Sequence, residues 1–313
     1  MLTWSTLTPE SVPQWTELTN LLATVDDTDE FYDAEDLAEE LVEHGFDAER
    51  DSWAAWDGEQ MVAFGQLRVS LQLTAEGDAR ADLTGGVHPE WRGRGIGTEL
   101  LARMEPRAVE LATERHPGAP ILLRASGGKE GSDAWPLLTD RGYAPARYFT
   151  DMKRDLPGEA TSAVDDPRIR PFTPELSEPL RLAHNDAFAT HWGSTPQTPE
   201  RWADTIGARS FRAAESRVLM DDDGAVLAYV LCGEWVAREL YISLVGTVQA
   251  ARGQGLARQV LLATVADAAA SGTYDVVELG VDSANPTGAG NLYASVGFTP
   301  IRTQATFTKR RTR

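Results

Sequence analysis

The chain has 313 residues, 42% of them apolar, and its 29 basic against 48 acidic side chains give a net charge of −19; that is room for two domains of about 150 residues each, and no apolar run approaches the ~20 residues of a membrane span. Such an acidic surface repels nucleic acid and anionic lipid; it favours cationic acceptors such as amines, and equally serves solubility or salt tolerance. Met1 to Ser5 has no basic segment ahead of an apolar one, and the single cysteine, Cys232, sits in an apolar run as a small buried side chain, so the expectation is a soluble cytoplasmic protein, monomer or homodimer, without disulfides.

In chain order, a first short strand precedes a turn at Thr8, Pro9 and Glu10. Pro13 starts a helix whose apolar face is Trp15, Leu18, Leu21 and Leu22. The acidic tract from Asp26 to Glu43 has the pattern of a solvated helical face. Trp53 to Trp56, the turn Asp57-Gly58, and Met61 to Leu67 form a β-hairpin. Ala81 to Gly86 is strand and Thr98 to Ala112 is helix. Pro106 inside that helix removes a hydrogen bond at a cost of ~3 kcal/mol and predicts a kink or break near Glu105. Pro120 to Ala125 is strand. Gly127-Gly128-Lys129 fails as a nucleotide P-loop, because Leu123 and Glu130 stand where glycine and Ser/Thr are required. The half closes on Arg141-Gly142-Tyr143. Leu156 to Pro167, rich in small and polar residues, reads as a linker, which divides the chain into 1–155, a linker 156–168, and 169–313.

The second half repeats the order. Arg217 to Met220, a turn at Asp221 to Gly224, and Ala225 to Leu231 form a hairpin. A strand at Leu240 to Val245, a helix at Arg258 to Ala270 and a strand at Val276 to Asp282 follow, and Val296-Gly297-Phe298 closes. The aspartates of the turn lack EF-hand spacing, and the histidines and cysteine lack metal-ligand spacing, so no metal is expected. The basic tail, Lys309 to Arg313, reads as frayed and solvated.

Two stretches stand in the same strand-to-helix context. One is Val87-His-Pro-Glu-Trp-Arg92-Gly93-Arg94-Gly95-Ile96-Gly97-Thr98; the other is Thr247-Val-Gln-Ala-Ala-Arg252-Gly253-Gln254-Gly255-Leu256-Ala257-Arg258. Such a turn gathers unpaired backbone N–H groups at the positive end of a helix dipole. Its natural ligand is an anion, a diphosphate fits best, and glycine keeps the approach to the backbone open. Arg92, Arg94, Arg252 and Arg258 supply positive charge in an otherwise acidic chain. A lone turn of this type is weak evidence; two copies in two halves are much stronger.

Both stretches read Arg-x-x-Gly-x-Gly/Ala, which resembles the acyl-CoA pyrophosphate loop of the GNAT (Gcn5-related N-acetyltransferase) superfamily. The layout is similar to the tandem GNAT proteins of the mycothiol synthase-like kind. The resemblance implies an α/β (α+β) fold: two tandem GNAT-like domains, each a mixed, mostly antiparallel sheet flanked by helices. It implies acetyl-CoA as co-substrate, with Val245, Gly246 and Thr247 as backbone contacts at the thioester, and a small-molecule or peptide primary amine as acceptor. The acidic tract then corresponds to one lip of the acceptor cleft.

Asn285 followed by Leu292-Tyr293-x-x-x-Gly297-Phe298 resembles the GNAT closing motif, with one extra residue between Asn285 and Tyr293. The resemblance places the Tyr293 hydroxyl near the CoA sulfur, where a phenol can protonate a leaving thiolate; packing of the ring on the last helix is the alternative. In the first half, counting four residues back from Gly142 gives Leu138, which cannot donate a proton, so that half is expected to keep the fold and to have lost catalysis. An attacking ammonium must lose a proton, and Glu239 and Glu234 are the candidate bases. The family's glutamate position, eleven residues before Arg252, falls on Tyr241. Asp186, His191 and Trp192 resemble the acceptor-facing segment, although a histidine is more often packing or a cap. The rival function is a non-catalytic acyl-CoA-binding sensor or scaffold.

Overall fold

The computed structural model describes residues 2–158, 166–285 and 287–311. It divides into two compact units, Met1–Tyr148 with Gln304–Arg313, and Phe149–Thr303. The division therefore does not follow the boundary read at 156–168, and residues 159–165 of that linker lie outside the described residues. In chain order the elements of the first unit are β1 (Thr3–Ser5), α1 (Val12–Asp26), α2 (Ala34–Glu40), α3 (Ala48–Asp51), β2 (Ser52–Asp57), β3 (Gln60–Val69), β4 (Ala79–Val87), α4 (Ile96–Arg115), β5 (Ile121–Gly128) and α5 (Ala134–Asp140). The next strand, β6 (Ala144–Asp155), starts in the first unit and continues in the second. The second unit adds β7 (Ile169–Pro171), α6 (Ser177–Ala187), α7 (Pro199–Gly207), β8 (Arg217–Met220), β9 (Val226–Gly233), β10 (Glu239–Thr247), α8 (Leu256–Ser271), β11 (Val276–Asp282) and α9 (Ala289–Ala294). The last strand, β12 (Thr299–Arg311), ends in the first unit.

In the first unit the strands run β1-β2-β3-β4-β5 and then the end of β12, all antiparallel except β4 with β5. The second unit repeats the pattern: the end of β6, then β11-β10-β9-β8-β7, with β10 and β11 as its parallel pair. A period of two puts alternate residues on opposite faces. In the second unit Leu240, Ile242, Val277, Leu279 and Val281 thus join Val260, Leu261 and Val265 of α8 in one core cluster. Tyr229 and Leu231 join Leu180 of α6 and Trp202 of α7 on the other face. The first unit has the same two layers, with Leu100 and Met104 of α4 on one face and Trp15 and Leu18 of α1 on the other.

Two expectations are corrected. Of the kink or break expected near Glu105, the break does not occur: the helix runs through Pro106 from Ile96 to Arg115, and packing of Met104, Ala108 and Leu111 in the core holds it through the missing hydrogen bond. The basic tail is not frayed as far as it is described. Lys309, Arg310 and Arg311 pair with Leu123, Leu122 and Ile121 of β5, and the Lys309 and Arg310 side chains meet Glu105 and Asp78. Cys232 is buried, as its apolar run predicts.

Candidate active site

The decisive feature of the second unit is where its two parallel strands part. β10 and β11 pair from Glu239↔Val276 to Ile242↔Leu279 and no further, although β10 runs on to Thr247 and β11 to Asp282. A bulge between Ile242 and Leu244 turns β10 away. Past it β10 keeps β9 as partner, Leu244↔Leu231 through Thr247↔Ala228, and its other edge opens. The backbone of Val245, Gly246 and Thr247 borders that opening. In the first unit β4 and β5 also part, after Leu83↔Ala125, there with β4 in unbroken register with β3.

Each opening leads to a glycine-shaped turn and a helix N-terminus. Gly253 and Gly255 have φ of 76° and 73°, and Gly93 and Gly95 have 72° and 81°. These left-handed values, rather than crowding, require glycine, since a Cβ at any of the four would meet nothing within 4 Å. The first helical bonds are Gln259 N–H to Gly255 O and Glu99 N–H to Gly95 O, so the amides ahead of them lack helical acceptors and suit an anion. Ala257 and Gly97 occupy matching places; a Cβ at Gly97 would stand 3.0 Å from the Leu137 side-chain tip of α5, which would have to give by a few tenths of an ångström.

A model of the acetyltransferase (GNAT) family matches residues 12–116 and 178–298. The chain belongs to the GNAT acetyltransferase family. Each matched segment carries one of the two glycine loops, and a tandem GNAT enzyme dependent on acyl-CoA accounts for both. Among similar proteins, a mycothiol acetyltransferase of Kineococcus radiotolerans is 32% identical over 259 residues, 78% of each chain. One of Thermobispora bispora is 31% identical over 257 residues, again 78% of each. Among solved structures, a GCN5-related N-acetyltransferase of Sphaerobacter thermophilus aligns with a TM-score of 0.76 at 22% identity, over 99% of this chain and 95% of its own. A tandem GNAT protein from the clavulanic acid biosynthesis pathway aligns at 0.68 and 19%, over 99% and 98%.

The closing motifs of this GNAT chain carry the same turn hydrogen bonds. Phe298 N–H donates to Tyr293 O and Gly297 N–H to Ala294 O; Tyr143 N–H donates to Leu138 O and Gly142 N–H to Thr139 O. Leu138 therefore does stand where Tyr293 stands. Tyr293 lies in α9, 7% exposed, in one core cluster with Val281 of β11 and with Val245 of β10 packed against it, residues on the two sides of the parting. Burial pushes its phenol up to about 12, so it holds its proton at neutral pH. Leu138 is 3% exposed among Leu83, Ala125 and Leu101. The Asn285 side chain accepts from Thr287 N–H and Oγ1, ordering the turn that enters α9.

The charged residues named from the sequence separate. Glu234 Oε2 pairs with Arg212 Nε at 2.8 Å, in the turn ahead of β10, which ties it into a structural ion pair. Glu239 begins β10 and shares a face with Tyr241, the face away from α8. Arg252 and Arg258 are exposed, and Arg252 Nη2 caps Ala187 O at 2.7 Å. Asp186 Oδ2 accepts from Gln249 N–H at 2.6 Å, which makes it a brace between α6 and the loop. His191 Nδ1 meets Ser194 Oγ at 3.3 Å, and Trp192 is half-buried. The loop from Arg252 to Ala257 follows the end of β10, whereas Glu239 lies at the strand's beginning.

The sequence reading missed one pair. His184 Nδ1 and Tyr229 Oη are 2.7 Å apart and buried. The Tyr229 ring lies under Gly246, whose Cβ would come within 2.5 Å of the hydroxyl. Burial lowers His184 to about 4, leaving it neutral. Glycine at 246 is the only sequence sign of this contact.

Proposed function

We propose that the second unit transfers acetyl from acetyl-CoA to the primary amine of a small molecule, and that the first unit binds acyl-CoA without turning it over. The observation that carries the assignment is the coincidence, in the second unit, of the β10–β11 opening, the Gly253–Ala257 cradle and Tyr293, where the first unit has Leu138. Amides from Gly253 to Ala257, with Arg252 and Arg258, hold the diphosphate. Backbone amides between Val245 and Thr247 polarise the thioester carbonyl, and Tyr293 protonates the departing thiolate. Arg92 to Thr98, preceded by Val87, form the counterpart cradle of the first unit.

Acceptor chemistry follows from charge. Glu239 on the cleft face, in a chain of net charge −19, favours an ammonium. The name of the mycothiol acetyltransferases makes a thiol-sugar amine the first acceptor to test. Catalysis proceeds by direct attack, with no covalent enzyme intermediate. Gly255→Val tests the cradle: acetyl-CoA should bind at least about tenfold more weakly in calorimetry, since one lost charge-assisted hydrogen bond exceeds ~1.4 kcal/mol. Unchanged affinity and turnover together would remove the second-unit assignment and move catalysis to the first unit; acetyl-CoA binding with no turnover in the wild-type protein would favour the sensor reading.

A further inference from the structure

On the cleft face of the second unit, the lateral partner of Tyr241 across the parallel pair is Glu278 of β11. The two residues form the next-to-last rung before the strands part at Ile242↔Leu279. Glu278 is 7% exposed, and one of its carboxylate oxygens lies within 4.8 Å of one from Glu239. Two carboxylates at that distance repel, and a cation between or beside them relieves the repulsion. One cation is built in: Arg302 Nη2 stands 3.7 Å from Glu278. An incoming ammonium is the other that this geometry suits.

Gly280, two residues along β11 on the same face, is exposed. The point where its Cβ would stand is 3.2 Å from the Tyr241 hydroxyl and 3.5 Å from Asp151 Oδ1. The backbone is bare at the first step past the last rung, walled by a hydroxyl and a carboxylate. An amine seated there faces the opening on one side and the Glu239–Glu278 pair on the other. Within the second unit, the charged and titratable groups facing Glu278 are Glu239 and Tyr241 from β10, Lys153 and Asp151 from β6, and Arg302 from β12.

We propose that Glu278 is the general base of acetyl transfer and that Glu239 holds the ammonium beside it. This rests on the acetyl-transfer reading of the second unit. The ammonium gives one proton to the Glu278 carboxylate, and the free amine attacks the thioester carbon. The new C–N bond forms and the C–S bond breaks. Tyr293 gives its proton to the leaving sulfur, the second proton lost by the nitrogen passes through solvent to restore the Tyr293 hydroxyl, and Glu278 returns its proton to water.

The test compares two nucleophiles. A primary-amine panel (cysteine amide, glucosamine, spermidine) needs a base at neutral pH; hydroxylamine is already unprotonated and does not. Glu278→Gln should cut kcat for the best panel amine by roughly a hundredfold or more and remove the low-pH limb of its kcat/KM profile, with hydroxylamine acetylation and acetyl-CoA affinity nearly unchanged. Glu239→Gln should chiefly raise KM for the amine. Equal losses for amine and hydroxylamine in Glu278→Gln, or a full loss in Glu239→Gln with Glu278→Gln near normal, overturn the assignment. A wild-type protein that binds acetyl-CoA but acetylates neither nucleophile overturns the acetyl-transfer reading, and this one with it.

Discussion

Arg92 and Asp26 close on each other through two hydrogen bonds, Nη1 to Oδ1 at 2.8 Å and Nη2 to Oδ2 at 2.6 Å. Asp133 stands 3.5 Å from the same guanidinium. The matching arginine of the second unit, Arg252, meets the neutral carbonyl of Ala187 instead. Both arginines order their loops, but only Arg252 does so with its charge uncompensated by a carboxylate among the contacts described. The position after Thr98 is Glu99, where the second unit has Gln259. The first cradle therefore keeps the shape for a diphosphate with less of the field that attracts one.

Asp26→Asn should strengthen acetyl-CoA binding at the first unit by roughly five- to tenfold, about 1 kcal/mol for a half-exposed pair. Calorimetry in a Gly255→Val background isolates that site. An unchanged constant would show that the ion pair is not what distinguishes the two cradles.

Tyr293→Phe removes a hydroxyl and keeps the ring against Phe298. We expect kcat to fall by roughly 10²–10⁴-fold with little change in the acetyl-CoA dissociation constant. The acid must carry its proton, and its folded-state value is about 12. Wild-type kcat should therefore show no loss from this group at neutral or mildly alkaline pH, and a loss only as pH approaches about 12. A wild-type decline near pH 9 that Tyr293→Phe lacks would keep the role and contradict the buried environment; near-normal kcat in Tyr293→Phe would overturn the role.

His184 is held down to about 4 by burial, against an ordinary 6.5. Between those values the unfolded chain binds a proton that the folded chain does not, so stability rises with pH. On acidification the contribution is lost progressively from about pH 6.5 to about 4, on the order of 3 kcal/mol in total. Urea midpoints across that range should drop, and the drop should be shallower in His184→Gln, which retains an acceptor for Tyr229. A parallel slope in the two proteins would count against a neutral buried imidazole.

Pro106 sits in an unbroken helix without an N–H to give to Ala102. Pro106→Ala should stabilise the first unit by roughly 1–3 kcal/mol and raise its Tm by several degrees. No change would mean that the bend imposed by proline is matched by packing that alanine forfeits.

The sequence by itself determined the repeat, because strand and helix periodicities and paired glycines are local properties. Each loop glycine marks a left-handed residue, and backbone conformation is legible from residue type. The inequality of the halves was legible too: Leu138 and Tyr293 lie at the same count before Gly142 and Gly297, and identical turn bonds bear out the counting. What only the tertiary structure decided was partnership across the chain. That β12 completes the first unit, and that its basic residues are strand rather than tail, depends on Lys309, Arg310 and Arg311 pairing with Leu123, Leu122 and Ile121 of β5, a long-range partnership that no local pattern encodes. That Asp186 braces Gln249, that Glu234 is spent on Arg212, and that Tyr229 lies beneath Gly246 follow from how α6, β9 and β10 pack. The Glu278 carboxylate was invisible for the same reason. In sequence it is one acidic residue within an apolar strand, and only the parallel register of β10 with β11 sets it beside Tyr241 and Glu239 at the mouth of the opening.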